Sequence, residues 1–363
     1  MRDRPGALAV DLAEVVGGAA RGVIVAGRSD APLRRVADLA AACEYALLAD
    51  PLSGARSGPA AIAHYDLLLR DEGFAAAHQP EVVVRVGDLP TSKPLRSWLA
   101  ALEDARQIAV DPQDAWQDPD GVLERSLRAD PALLSPPQSA PGGWLDGWRD
   151  GDARVADVVA ELAGRETLSE LSVARLLGER LAADATLFVA SSMPVREIET
   201  VWPARAVPPR VLCNRGANGI DGTLSSAYGA CAASAGAVCA LIGDVAFAHD
   251  VGGLLSASRL GLAATIVLLD NGGGGIFDHL PIAEERDVYE MHIATPPGLD
   301  FESIARAYAI DYLAPESLEE LATGVERALA DCQRSTLLHL RLERSASLAA
   351  QRQLQAAARS ALN

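Results

Sequence analysis

Lysine is nearly missing from this sequence of 363 residues, for Lys93 stands alone among 32 lysines and arginines. Such a bias toward arginine reflects genome composition more than function. Basic residues are also outnumbered by 49 aspartates and glutamates, which leaves a formal charge of −17. Nucleic acid and anionic membranes reward a basic surface, so neither is an expected partner. Small acidic substrates stay open wherever arginines gather locally. No uninterrupted apolar run reaches the roughly 18 residues that suggest a membrane span. The opening MRDRPGALAVDL also lacks the apolar core of a signal peptide, and a cytoplasmic protein is the expectation. Cys43, Cys213, Cys231, Cys239 and Cys332 form no C-x-x-C pair and have no histidine at metal spacing, which points to buried free thiols. The histidines (64, 78, 249, 279, 292 and 339) are too scattered for a metal set. G-x-S-x-G, the P-loop and a strand-associated G-x-G-x-x-G are absent, which removes serine hydrolases, NTPases and nicotinamide enzymes of the familiar kinds.

What is present is globular, with 49% apolar residues. The length suits two domains of about 100 to 200 residues each. Strand-like runs RGVIVAG (21–27), EVVVRVGDLP (81–90) and RQIAVD (106–111) alternate with amphipathic stretches such as PLRRVADLAAAC and SKPLRSWLAAL. This predicts an α/β fold of two domains, each a mostly parallel sheet flanked by helices. The first covers 1–135. A linker at 136–165 is expected from four prolines and repeated glycines between 130 and 152, and a second α/β domain spans 166–363. Thr167 and Glu170 fit a T-x-x-E capping box opening a helix. The Ala/Gln/Arg tail after Leu348 reads as a surface helix.

Three polar clusters come directly after predicted strands of the second domain, where open α/β sheets bind ligands. Ser191-Ser192-Met193-Pro194-Val195-Arg196 comes first, and its serines would equally cap a helix. Asn214-Arg215-Gly216-Ala217-Asn218-Gly219-Ile220-Asp221-Gly222 lets backbone approach a ligand closely. Gly243-Asp244 and, 27 residues on, Asn271 in LLDNGGGGIF form the third. Asp244 offers a carboxylate, Asn271 an amide oxygen and the glycines bare carbonyls, the oxygen set that Mg²⁺ takes beside a diphosphate. A helix starting near Gly252 would add N–H groups for the phosphates. Gly-Asp and Asn-Gly are also ordinary turn dipeptides. Arg196 and Arg215 share the predicted rim and suit carboxylates, or are solvated. Lys93, in GDLPTSKPL, either reaches an interdomain ligand or belongs to a capped helix start.

G-D followed by N about 27 residues on resembles the thiamine diphosphate motif, with Val245 and Asp270 where the usual form has glycine and asparagine. SSMPVRE, NRGANGIDGTLSSAYG, NGGGGIFDHLPI and TPPGLDFESIARAYAIDY, with GDLPTSKPL, are similar to the central and C-terminal domains of the MenD family, the 2-succinyl-5-enolpyruvyl-6-hydroxy-3-cyclohexene-1-carboxylate synthases of menaquinone biosynthesis. The resemblance implies thiamine diphosphate and Mg²⁺, or Mn²⁺, held through Asp244, Asn271 and the Gly273 carbonyl. It places Ser191, Gly219, Ile220, Gly243, Val245, Gly274 and Ile276 at the cofactor, with Ile220 bracing it. Family members often have asparagine where this chain has Ser191. Lys93, Ser192, Arg196, Arg215, Ile276 and Phe277 are implied for substrate. The implied reaction is decarboxylation of 2-oxoglutarate and addition of the succinyl unit to isochorismate.

Family members carry in addition an N-terminal pyrimidine-binding domain with the glutamate that activates the cofactor, and no glutamate here matches it. The expectation is therefore a diphosphate-binding half, with no catalytic residue of its own assigned. A homo-oligomer, a separate N-terminal pyrimidine-binding chain, or both are the expected partners. Alternatives are another thiamine diphosphate-dependent 2-oxo acid decarboxylase or carboligase, and a non-catalytic cofactor-binding remnant.

Overall fold

The computed structural model describes residues 8–30, 33–113, 117–135, 142–164, 167–216, 219–331 and 333–363. Two compact units emerge, and neither is a single stretch of chain. The first comprises 1–159, 202–208 and 355–363, and the second 160–201 and 209–354.

In the first unit the strands are β1 (Leu8–Asp11), β2 (Gly22–Ala26), β3 (Ala46–Ala49), β4 (Val82–Val86), β5 (Arg106–Val110), β6 (Arg125–Leu127) and β7 (Ala129–Ser135). Five of them form a parallel sheet in the order β3-β2-β4-β5-β6, and β1 pairs with β7 in a separate parallel ribbon. The central strands are β-branched and apolar because helices cover both faces of a parallel sheet. Val23, Ile24, Val83 and Val84 are accordingly sealed from solvent.

The second unit holds β8 (Thr186–Val189), β9 (Arg210–Leu212), β10 (Val238–Gly243), β11 (Thr265–Asp270), β12 (Asp311–Leu313) and β13 (Thr336–Arg341). All neighbouring pairs are parallel, in the order β12-β13-β11-β10-β8-β9. From β8 the chain steps outward to β9 and then returns to β10 on the other side of β8. That reversal makes a topological switch point between β8 and β10, where the loops leaving the strands diverge and open a crevice. Leu241, Ile242, Ile266, Val267 and Leu268 fill the strands' buried faces, and Phe247 meets Phe301 edge to face at 5.5 Å.

Several expectations need correction. The stretch read as a linker contains a 20-residue helix, Trp144–Ala163. Its leucine, valines and tryptophans are spaced to bury one face, and Trp148 is fully enclosed, so the prolines and glycines before the helix do not prevent it from forming. The capping box is not Thr167/Glu170. Ser169 is the N-cap of helix Glu170–Arg180 and exchanges side-chain and backbone hydrogen bonds with Ser172. Glu170 is freed for a distant partner. The tail is a helix, Arg344–Leu362, but Leu354 and Ala358 are buried, so it is not merely a surface element. Cys43, Cys213 and Cys239 are buried and in no disulfide, Cys231 is partly buried and likewise unbridged, and Cys332 lies outside the described residues.

Candidate functional site

The ends of β8, β10 and β11, with the loop after β9, line one cavity of about 500 Å³ in the second unit. Each strand is an apolar run that stops at small or polar residues, and parallel pairing in register brings those stops to the same edge.

At the end of β10, Gly243 leaves the space where a Cβ would project empty to 4 Å. Asp244 begins the short helix Asp244–His249 and is 2% exposed. Its Oδ1 accepts from the Val245 N–H at 2.8 Å and its Oδ2 from the Gly273 N–H at 2.7 Å. Burial still outweighs these bonds and pushes the carboxyl up to about 6. A divalent cation would offset that desolvation.

Asn271 comes next after β11. Its Nδ2 donates to Oε1 of Glu170 at 2.6 Å, while its Oδ1 is buried and accepts from no donor among the described residues. Such an orphan costs about 1–3 kcal/mol, a cost that a bound cation would remove. Beyond it, Gly273 has φ +130°, and a Cβ there would come within 2.6 Å of the Ala294 carbonyl. The loop is held from outside by the Gly274 N–H on Ala294 O (2.7 Å) and by Arg344 on Gly272 O (3.1 Å). Arg344 in turn pairs with Asp278 at 3.2 Å and with Glu290. Asp270, which the resemblance sets where the motif usually has asparagine, is not among the cavity-lining residues. It accepts from His339 Nε2 at 2.8 Å, and this bond holds its carboxyl below the usual range.

From β8, Ser191 donates to the Asn214 carbonyl at 3.0 Å, and Ser192 holds the strained φ of 74° in the left-handed region. Arg196 reaches back to Ser192 O at 2.5 Å. Burial, and then the charge of Arg215, hold the Arg196 guanidinium below its ordinary pKa. Among the described residues neither arginine pairs with a carboxylate, and two unpaired guanidiniums on one wall are suited to an anion.

The cavity thus gathers Ser191, Ser192, Arg196 and Arg215 with Gly219 and Ile220 from the β9 loop. It also gathers Gly243, Asp244, Val245 and Asn271 with Gly273, Gly274, Ile276 and Phe277. Ala217 and Asn218 of the NRGANGIDG segment lie outside the described residues. Lys93 belongs to the first unit, where it opens helix Lys93–Ala101 behind the N-cap Ser92. The helix Gly253–Leu260, expected to face phosphates, does not line the cavity; Asp244–His249 does, because it starts directly at the strand end. Asp221 of the β9-loop cluster lines it too, and sequence reasoning missed Glu170, His249 and Thr295, which also do. Among the described residues no three His, Cys, Asp or Glu side chains cluster as a metal site, so a cation here would rely on one carboxylate, one amide oxygen and backbone. The donor set fits a hard cation. Nor is any described helix long and apolar enough to cross a membrane.

Comparison with known proteins identifies the families of these domains. Residues 13–189 match a family described as the middle domain of thiamine pyrophosphate, and residues 197–340 match the C-terminal TPP binding domain of thiamine pyrophosphate enzymes. The chain is 40% identical over 308 residues to a 2-succinyl-5-enolpyruvyl-6-hydroxy-3-cyclohexene-1-carboxylate synthase of Chloroflexus aurantiacus, covering 80% of this chain and 52% of that protein. To those of Bacillus velezensis and Halobacterium salinarum it is 36% and 39% identical, over 85% and 90% of this chain and 55% and 57% of theirs. The chain spans about half the length of these relatives.

Proposed function

The chain belongs to the thiamine pyrophosphate enzymes, of which it carries the middle and C-terminal domains, and from that premise we propose that its second unit holds thiamine diphosphate with Mg²⁺ and serves a menaquinone-pathway carboligase. The observation that carries this is the meeting, at one cavity, of the buried Asp244 carboxyl and the donorless Asn271 oxygen. Asp244, Asn271 and the Gly273 carbonyl would hold Mg²⁺, with Mn²⁺ as substitute. Ser191, Gly219, Gly243, Val245 and Gly274 would border the cofactor, Ile220 would brace it, and Ile276 would touch both it and the substrate. When bound, thiamine diphosphate supplies a carbanion and an electron sink for cleaving carbon dioxide from a 2-oxo acid.

The chain's own residues would bind and orient. Arg196 and Arg215 take substrate carboxylates, Ser192 adds a hydrogen bond, and Phe277 with Ile276 keeps water from the reacting carbon. Lys93 is assigned to substrate on family resemblance alone. The substrates proposed are 2-oxoglutarate and isochorismate, whose negative charges account for arginines in a chain otherwise acidic. The relatives are about twice as long as the matched region, and the proposal includes a separate N-terminal pyrimidine-binding chain supplying the activating glutamate, a homo-oligomer, or both.

Calorimetry with Mg²⁺ and thiamine diphosphate tests the site. Binding by the chain and its loss in Asp244→Ala are expected; unchanged binding in that variant refutes the ligand assignment. For the reaction, isochorismate consumption is measured in the presence of 2-oxoglutarate, cofactor and the completing domain. Turnover supports the carboligase, and cofactor binding without turnover leaves a non-catalytic module.

A further inference from the structure

An asparagine can serve a cation only through its oxygen, yet its amide has two ends of nearly the same shape, and the surroundings must choose between them. At Asn271 the chooser is Glu170, 101 positions earlier in the chain, whose Oε1 lies 2.6 Å from Nδ2. A carboxylate acceptor takes the NH₂ end and leaves Oδ1 facing no donor. Glu170 is itself 3% exposed and is backed by Glu197, which is 1% exposed on helix Met193–Val201. Complete burial and then the neighbouring Glu170 raise Glu197 well above the ordinary carboxyl range. Gln351 Nε2 donates to Glu197 Oε1 at 3.3 Å. Glu170, with Glu197 behind it, thus meets Asn271 at the cavity wall.

We propose that Glu170 is a positioning residue that locks the Asn271 amide with its oxygen toward the cation. This rests on the reading of Asn271 as a cation ligand. Without Glu170 the amide is free to turn, and its NH₂ would then confront the metal. Outer partners of metal ligands typically account for about 10- to 100-fold in affinity.

The test is Mn²⁺ binding by the full chain in the presence of thiamine diphosphate, read from the free-ion signal in electron paramagnetic resonance. Glu170→Ala is expected to weaken binding by about 10-fold or more. The same substitution is then placed on Asn271→Asp, whose two oxygens are equivalent and need no orienting. There Glu170→Ala is expected to cause no loss, and to tighten binding by removing a neighbouring carboxylate. A role confined to general stability predicts equal losses in both backgrounds, and that result overturns the proposal. So does undiminished binding in Glu170→Ala alone. Should the alanine variant fail to fold, Glu170→Gln keeps the shape but offers an amide that can satisfy either end of Asn271. It is expected to lose several-fold, and no loss overturns the idea. If the unsubstituted chain takes up no Mn²⁺, both the ligand reading and this one fall. If it binds, and loses the ion in Asp244→Ala but not in Glu170→Ala, only the positioning role falls.

Discussion

Burial of the Glu197 carboxyl couples the stability of the second unit to pH. The carboxyl is raised well above the ordinary 4.5 by burial and by Glu170. Above pH 4.5 the unfolded chain releases the carboxyl proton while the folded chain keeps it, so the folded state binds more protons and loses stability as pH rises. The loss continues until the folded pKa is passed. Glutamine cannot titrate, so Glu197→Gln removes the slope. Thermal melts from about pH 5 to 9 should show a parent whose midpoint falls with rising pH and a variant whose midpoint falls less. Parallel curves would mean that the proton is not held there. His78 in the first unit acts with the opposite sign. Burial lowers it below 6.5, so stability contributed by the neutral ring is lost as pH falls through that region. Residues of this kind are unequally legible in a sequence. Asp244 and Asn271 announce themselves because each ends an apolar run, whereas Glu170 sits in an ordinary helix start and acquires its meaning from a contact 101 residues away.

Among elements, the turns are more exacting than the strands. Gly273 combines φ +130° with a would-be Cβ at 2.6 Å from Ala294 O, so Gly273→Ala must displace the loop that carries Asn271. A left-handed strain of about 1–3 kcal/mol and a shifted ligand are the consequences. Mg²⁺-dependent cofactor binding is expected to fall more than about 10-fold by calorimetry while far-UV circular dichroism stays unchanged. Gly27 in the first unit is tighter still, with a Cβ only 1.7 Å from Asp88 O, where the loops after β2 and β4 touch backbone to backbone. Gly27→Ala should therefore lower the melting temperature by several degrees, on the order of 2–3 kcal/mol. Gly243→Ala meets nothing within 4 Å and should melt like the parent, which makes it the control. Parallel-sheet strands were readable because burial on both faces demands continuous apolar runs. The helix Trp144–Ala163 was obscured because the prolines and glycines before it are a louder local signal than its spaced tryptophans.

At the level of the whole molecule, the chain leaves the first unit and returns twice, and no local pattern in the sequence reveals that. Segments 202–208 and 355–363 complete a body that is otherwise residues 1–159. The dependence is physical. Arg56 is 1% exposed, lies 5.4 Å from the Tyr65 ring, and donates to Ala49 O at 2.6 Å and to the carbonyls of Ala63 and Trp202 at 3.0 Å. Removing Trp202 takes away an acceptor from a buried charge, worth about 1.5–3 kcal/mol. It also exposes apolar surface that the fully buried indole had covered, worth a similar amount. The last turns of the C-terminal helix bring Arg359 onto Arg70 O at 3.2 Å, and Arg154 donates to Ala361 O at 3.2 Å and Leu362 O at 3.3 Å. Against a total stability of about 5–15 kcal/mol for a typical domain, the sum of these losses is decisive. A fragment of residues 1–159 is therefore expected to lack a cooperative melt and the near-ultraviolet dichroism of its packed tryptophans, Trp98, Trp144 and Trp148. Adding back 202–208 and 355–363 through short linkers should restore both signals. A fragment 1–159 that melts as cooperatively and as high as the full chain would show that the two returning segments are accessories, and that the first unit folds from its continuous stretch alone.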